Sequence, residues 1–149
     1  MNQRYFDDFR VGEVFRAPAR TLTDAHFLFF AALTGDNHPI HYDDEYAKRT
    51  PFGRRVAHGL LLSALTALGA GELSAQVEES MIAFLSQSAA FKAPVFLGDT
   101  VRPELEVVEL IPKGERGVLK LRARLINQRG EVVLEGEHVY LLRCRSGLA

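Results

Sequence analysis

The stretch from His58 to Ala70, His58-Gly59-Leu60-Leu61-Leu62-Ser63-Ala64-Leu65-Thr66-Ala67-Leu68-Gly69-Ala70, contains no acidic residue, lysine or arginine and is apolar around most of a helical circumference. A helix of that kind is buried on several sides. In a chain of 149 residues, only a sheet curved around it supplies that much cover. The expectation is therefore α+β: a long central helix held inside a curved antiparallel sheet. Hydrophobic residues make up 47% and charged residues 25% of the chain, close to the average of soluble globular proteins. With no repeat or Gly/Ser linker in it, residues 1–149 read as a single domain.

The second half supplies the strands. Met81–Phe91, Val101–Ile111, Gly117–Asn127 and Glu131–Leu142 read as strands, with a turn at Gly98-Asp99 and hairpin connections at Pro112-Lys113-Gly114 and Gln128-Arg129-Gly130. From Leu119 to Leu125 leucines and one alanine alternate with Lys120, Arg122 and Arg124, so one face is apolar and the other basic. In the first half, a first strand falls near Val11–Phe15. Thr23 is an N-cap with His26 three residues on. Ala25–Leu33 reads as a buried helix stopped at Gly35, and Asp44 caps a short helix through Lys48.

Between those helices lies Thr34-Gly35-Asp36-Asn37-His38-Pro39-Ile40-His41-Tyr42-Asp43. Gly35 permits backbone angles that other residues avoid, and Pro39 biases His38 away from helix. One carboxylate and two imidazoles thus sit on a stiff turn, able to aim Asp36 and His41 at one small target such as water. The same residue types also close ordinary turns. A metal held by Asp36, His38, His41 and Asp43 is a rival reading, but no further ligand cluster supports it, and no metal is expected.

The net charge of −1 points to neither nucleic acid nor a membrane surface as partner. The one cysteine, Cys144, excludes an internal disulfide framework. Met1-Asn2-Gln3-Arg4-Tyr5 lacks an apolar signal core, and no apolar run approaches the ~20 residues that span a bilayer. The expected compartment is the cytoplasm.

The turn and the element order together resemble the MaoC-like, R-specific enoyl-CoA hydratase/dehydratase family, which has the hotdog fold. The family signature Gly-Asp-x-Asn/His-Pro-hydrophobic-His, then x-Asp, is met by Gly35, Asp36, His38, Pro39, Ile40, His41 and Asp43. A His-Gly opening the central helix is met by His58-Gly59. A Gln-x-x-x-Phe-x-x-Pro-Val strand followed by Gly-Asp is met by Gln87, Phe91, Pro94, Val95, Gly98 and Asp99. The resemblance spans about residues 9 to 142. It departs where some hydratases carry a helix serine near the reacting water: Ala67 takes that position, with Ser63 and Thr66 the nearest candidates.

The resemblance implies reversible addition of water across the 2,3 double bond of an enoyl thioester of coenzyme A or acyl carrier protein, giving the (R)-3-hydroxyacyl product. No cofactor is implied beyond the thioester itself. Asp36 and His41 would hold the water. Gly59 either allows tight packing or, as the resemblance favours, offers its backbone N–H to the developing thioester oxyanion. The substrate-binding candidates are Asn37, His38, His58, Ser63 and Lys92. His58 either orients the turn or only starts the helix, and Lys92, Arg54 and Arg55 are candidates for the coenzyme's phosphates. Thioester hydrolysis on the same fold and a non-catalytic subunit of a larger dehydratase are the competing functions. One hotdog unit implies a homodimer or higher oligomer.

Overall fold

The computed structural model describes residues 2–145. In chain order the elements are β1 (Val14–Arg16), β2 (Arg20–Thr21), α1 (Asp24–Thr34), α2 (Asp44–Lys48), α3 (Gly59–Ala64), α4 (Leu73–Gln76), β3 (Met81–Phe91), β4 (Thr100–Lys113), β5 (Arg116–Asn127) and β6 (Val132–Arg143). Their strands form one antiparallel sheet in the order β1-β4-β5-β6-β3, with β2 also paired to β4. The four expected long strands are present within two residues of their predicted ends. β4 turns into β5 through Gly114-Glu115, where Gly114 takes a positive φ of 65° that other residues avoid.

The alternation in β5 decides which way the sheet faces. Leu119, Leu121, Ala123 and Leu125 are buried, and the helical segments pack on their side. α3 contributes Leu61 and Leu62 to a core shared with Leu22, Phe27, Val95, Val101, Leu125, Val133 and Leu134. α4 contributes Leu73 to a second core with Phe6, Phe9, Val107, Leu119, Leu121 and Leu142. On the opposite face the charged residues pair across strands: Arg122 with Glu106 at 2.5 Å, Arg124 with Glu104 at 2.6 Å and Lys120 with Glu109 at 2.9 Å. No helix among the described residues is long and apolar enough to cross a membrane.

The long central helix is not there. α3 has 6 residues, after which the chain passes through an extended Ala67 to a short 3-10 turn at Leu68–Ala70. Thr66 is the cause. It is fully buried, and its hydroxyl donates back to the Ser63 carbonyl at 2.7 Å, a local bond that competes with the helical ladder. That spends its only proton, so its oxygen accepts from His138 Nε2–H at 3.1 Å. His138 Nδ1 then accepts from the Tyr140 hydroxyl at 3.2 Å. Gly69 and Gly71 further disfavour a helical continuation. Nor are the helices covered all round. Leu60 on α3 is 69% exposed, and on α1 only Phe27 and Ala31 are buried while Phe29 and Leu33 are 75% and 84% exposed. α1, α3 and α4 meet the sheet on one face, and among the described residues no second layer covers the exposed sides of α1 and α3. The caps also shift slightly: α2 is capped by Asp43, whose carboxylate accepts from Tyr46 N–H at 2.9 Å, while Thr23 N–H donates to His26 Nδ1 at 2.9 Å as the spacing predicts.

Two predictions follow from this packing. Gly136 in β6 faces Ala89 of β3, and a Cβ there would lie 1.8 Å from the Ser88 carbonyl oxygen. Gly136→Ala should therefore force the strands apart and cost about 1–3 kcal/mol of stability. Gly69→Ala, which meets nothing within 4 Å, should stay within about 0.5 kcal/mol of wild type. Urea unfolding of both variants checks the contrast, and equal midpoints would remove it.

The second concerns pH. Burial holds His138 below the ordinary imidazole range and pushes the Tyr140 hydroxyl up to about 12. A histidine depressed in the folded state contributes stability that is complete above its unfolded value of ~6.5 and is lost as pH falls through the folded value. The urea midpoint should rise from pH 5 and level off above about 6.5. His138→Gln should flatten part of that rise whatever it does to the absolute midpoint. An unchanged slope would show that His138 is not the group titrating.

Candidate active site

The turn between α1 and α2 is tethered at both ends. α1 stops because Gly35 enters the left-handed region at φ 76° and returns its N–H to the Ala31 carbonyl at 2.8 Å. Asp36 N–H then donates to the Thr34 hydroxyl at 3.2 Å. Pro39 opens a single 3-10 turn ending at His41, capped by His38 Nδ1, which accepts from Ile40 N–H at 3.3 Å. This turn carries His41 inward to 9% exposure, while Asp36 stays exposed.

His41 Nδ1 lies 2.7 Å from the Val56 carbonyl. A carbonyl only accepts, so Nδ1 carries the hydrogen and Nε2 is the nitrogen left for chemistry. His58 comes up beneath the turn, 1% exposed. Its Nε2 lies 3.2 Å from the Asp36 main-chain carbonyl, and its ring stacks on that of His41 with centroids 3.7 Å apart and planes 21° from parallel. Phe30 and Phe27 of α1 close the other sides at 4.8 and 6.0 Å. Burial, then the neighbouring His41, lowers the pKa of His58, with the Asp36 carbonyl and carboxylate opposing. A carboxylate oxygen of Asp36 and one ring nitrogen each of His41 and His58 lie within 4.8 Å of one another. These residue types suit a transition metal as well as a water. The ring geometry bears on that choice: nitrogen lone pairs lie in the ring planes, and two nearly parallel stacked rings do not aim theirs at one point.

Next to this cluster is an apolar cavity of about 300 Å³ lined by Phe52, Val56, Ala57, Gly59, Leu62 and Phe91 through Val95. Val56 belongs to both, since its carbonyl holds His41. Gly59 is the first residue of α3, so its N–H lies in the turn without intrahelical acceptors. A Cβ at Gly59 would sit 3.2 Å from the Phe91 ring, so glycine lets that ring pack closely against the start of α3.

The remaining candidates divide. Lys92 stands exposed on the cavity wall. Asn37 and His38 are exposed on the turn; the Asn37 carbonyl accepts from the Tyr42 hydroxyl, and the His38 ring meets Tyr46 edge-on at 5.5 Å. His58 is sealed under the turn, 1% exposed. Thr66 is buried against His138. Ser63 stays half-buried on α3, its carbonyl taken by Thr66. Arg55 is spent on Asp24 and Asp44 at 2.5 and 2.9 Å, whereas Arg54 lies over the Phe96 ring at 3.9 Å. Asp99 is structural: its carboxylate accepts from Phe96 N–H and the Gln128 amide at 2.8 and 2.7 Å. The Val56 carbonyl and the Phe27/Phe30 walls had no sequence signal beyond general apolarity.

Comparison with known proteins gives relatives over most of the chain. The chain is 38% identical over 135 residues to a 3-hydroxybutyryl-CoA dehydratase of Methylorubrum extorquens, covering 89% of this chain and 80% of the relative. It is 38% identical over 118 residues to an (R)-specific enoyl-CoA hydratase of Aeromonas caviae, covering 79% and 84%. Its fold superimposes with a TM-score of 0.78 on a Mycobacterium tuberculosis protein described as having a double hotdog fold, at 24% identity, covering 99% of this chain and 46% of that one. The curved antiparallel sheet with its short helices is thus the hotdog arrangement. A family model described as the MaoC like domain matches residues 8–128, and with the Asp36–His41 turn seated beside the Gly59 cavity the chain belongs to the MaoC-like domain family.

Proposed function

We propose that the chain is a hydro-lyase that reversibly hydrates trans-2-enoyl thioesters of coenzyme A or acyl carrier protein to (R)-3-hydroxyacyl thioesters. The observation that carries this is the span of at most 4.8 Å between the Asp36 carboxylate and the ring nitrogens beside it, a gap that one water bridges with two ordinary hydrogen bonds. The activities named for the relatives support the same reading.

In this reading the water sits between Asp36 and His41 Nε2. Nε2 takes a proton as the water oxygen attacks C3, and Asp36 accepts the water's other hydrogen and fixes its direction. The Val56 carbonyl, bonded to Nδ1–H, strengthens its hold as the ring becomes charged. Attack moves an electron pair onto the thioester oxygen, where the Gly59 N–H receives it. Removing one such donor typically costs ~10²–10³ in rate. Because α3 is only 6 residues long, the N–H itself contributes more than any helix dipole. The imidazolium then returns its proton to C2, and the chain is ready for another turnover. Lys92, exposed at the rim, suits the thiol carrier's phosphates, and Asn37, His38 and Ser63 would border the substrate. The near-parallel imidazoles favour a water over a metal ion, so no cofactor enters this scheme. A cytoplasmic location, where such thioesters are met, is part of the same reading.

Asp36→Asn and His41→Ala should each lower kcat/KM for crotonyl-CoA hydration by ~10²-fold or more, with the double variant costing less than the product of the two. Wild-type activity should survive chelation by EDTA, and the product should not be oxidised by an S-specific 3-hydroxyacyl-CoA dehydrogenase. Hydration within a few-fold of wild type in both variants would remove the catalytic assignment. Release of free coenzyme A in place of hydration would point to thioester hydrolysis.

The same reading includes a homodimer. Among the described residues β3 ends the sheet with an unpaired edge and carries Ile82, Phe84, Leu85 and Phe91 exposed, while α1 exposes Leu28, Phe29 and Leu33. Open edges and clustered apolar side chains are features that chains cover. A second copy pairing β3 with β3 about a two-fold axis covers both. Sedimentation should give a dimer or larger at micromolar concentration, with Leu85→Lys shifting it toward monomer. A wild-type chain that sediments as monomer throughout that range defeats the proposal.

A further inference from the structure

His58 is 1% exposed, and it contacts both Asp36 and His41. We infer that His58 is a positioning residue: its Nε2–H anchors the Asp36 backbone and its ring face sets the plane of His41, so that carboxylate and imidazole are held in register from below. This rests on the Asp36–His41 reading above and goes beyond it.

The tautomer follows from the partners. Nε2 faces a carbonyl at 3.2 Å, which only accepts, so Nε2 carries the hydrogen. Nδ1 is buried with no hydrogen-bond partner among the described residues. A proton there would find no acceptor, and an added charge would lie against His41. From α1 the ring meets only Phe27 and Phe30. From the turn it meets His41 and Asp36, the titratable groups that face it. The neutral Nε2–H form is therefore the one this surrounding accepts, and the lowered pKa of the group is in keeping with it.

Each contact removes a freedom that the chemistry cannot tolerate. Asp36 follows a glycine at φ 76° on an exposed turn. Its N–H is tied to Thr34, and among the described residues its carbonyl is tied only through His58. His41 is held at Cβ by the chain and at Nδ1 by Val56. The His58 ring stacked on it at 3.7 Å resists rocking of the His41 ring out of its plane and so steadies the direction of Nε2. A displacement of about 1 Å in such a pair costs on the order of 10²-fold in rate.

The two contacts separate by substitution. His58→Gln keeps a donor near the Nε2 position and loses the ring; His58→Phe keeps the ring and loses the donor. In crotonyl-CoA hydration, His58→Phe should lower kcat by roughly tenfold or more while KM stays within about threefold. His58→Gln, which loses the stack, should also fall below wild type. Wild-type kcat in His58→Phe would overturn the anchoring of Asp36, and wild-type kcat in His58→Gln would overturn the stacking on His41. A measurement on the wild-type protein stands apart from how the variants fold. Long-range proton–nitrogen spectra should show His58 neutral with hydrogen on Nε2, and His41 with hydrogen on Nδ1, at pH 7. A cationic His58, or one with hydrogen on Nδ1, would refute the inference. Should Asp36→Asn and His41→Ala both retain hydration, the catalytic pair itself is wrong, whereas loss in those two with no loss in either His58 variant removes His58 alone.

Discussion

The leucine row of β5 organises this molecule. Leu119, Leu121, Ala123 and Leu125, each at most 2% exposed, give the sheet one face that water leaves and one that keeps its Arg–Glu pairs. Burying such side chains contributes roughly 1.5–3 kcal/mol each for the larger ones, which fixes register as well as stability. A slip of one residue would turn Lys120, Arg122 and Arg124 into the core. Both helical cores rest on this row, and α3 is held over Leu125 and Leu134 by Leu61 and Leu62. The site inherits its position from there, since His58 is the N-cap of α3 and Gly59 its first residue.

Polar groups near the sheet are handled in two ways. Toward the far end of α3, the chain Tyr140–His138–Thr66–Ser63 satisfies every proton it contains, and the helix ends where Thr66 joins it. Near the start of α3, His58 leaves one nitrogen unpartnered. An unsatisfied buried acceptor costs about 1–3 kcal/mol. The first arrangement serves the fold. The second is tolerated beside Asp36 and His41, where local cost and function are often found together. A histidine there is justified by having a donor and a flat aromatic face in one side chain.

The cavity and the cluster share Val56 and lie on either side of the His58-Gly59 step. Apolar walls next to a small set of convergent polar groups are the common form of a small-molecule site. Here the walls come from the segment after β3 and the loop before α3, which Val56 and Phe96 join by a single bridge. Chemistry at the turn and accommodation of an acyl group are thus built by different parts of the chain, which can vary separately.

The sequence determined the four long strands, their facing, the stop at Gly35 and the Asp36–His41 turn, because these rest on local rules: period-two alternation, left-handed glycine, the constraint of proline. It also placed Gly59 at the start of a helix. It did not determine that this helix is only 6 residues long, since nothing local reveals that Thr66 will prefer a buried histidine seventy-two residues away. Nor did it show His58 as the support of the site. That depends on α1, the turn and the loop before α3 meeting around one ring. Sequence spacing reports which side chains share a face of one element. Which side chains stack between elements is decided only when those elements pack.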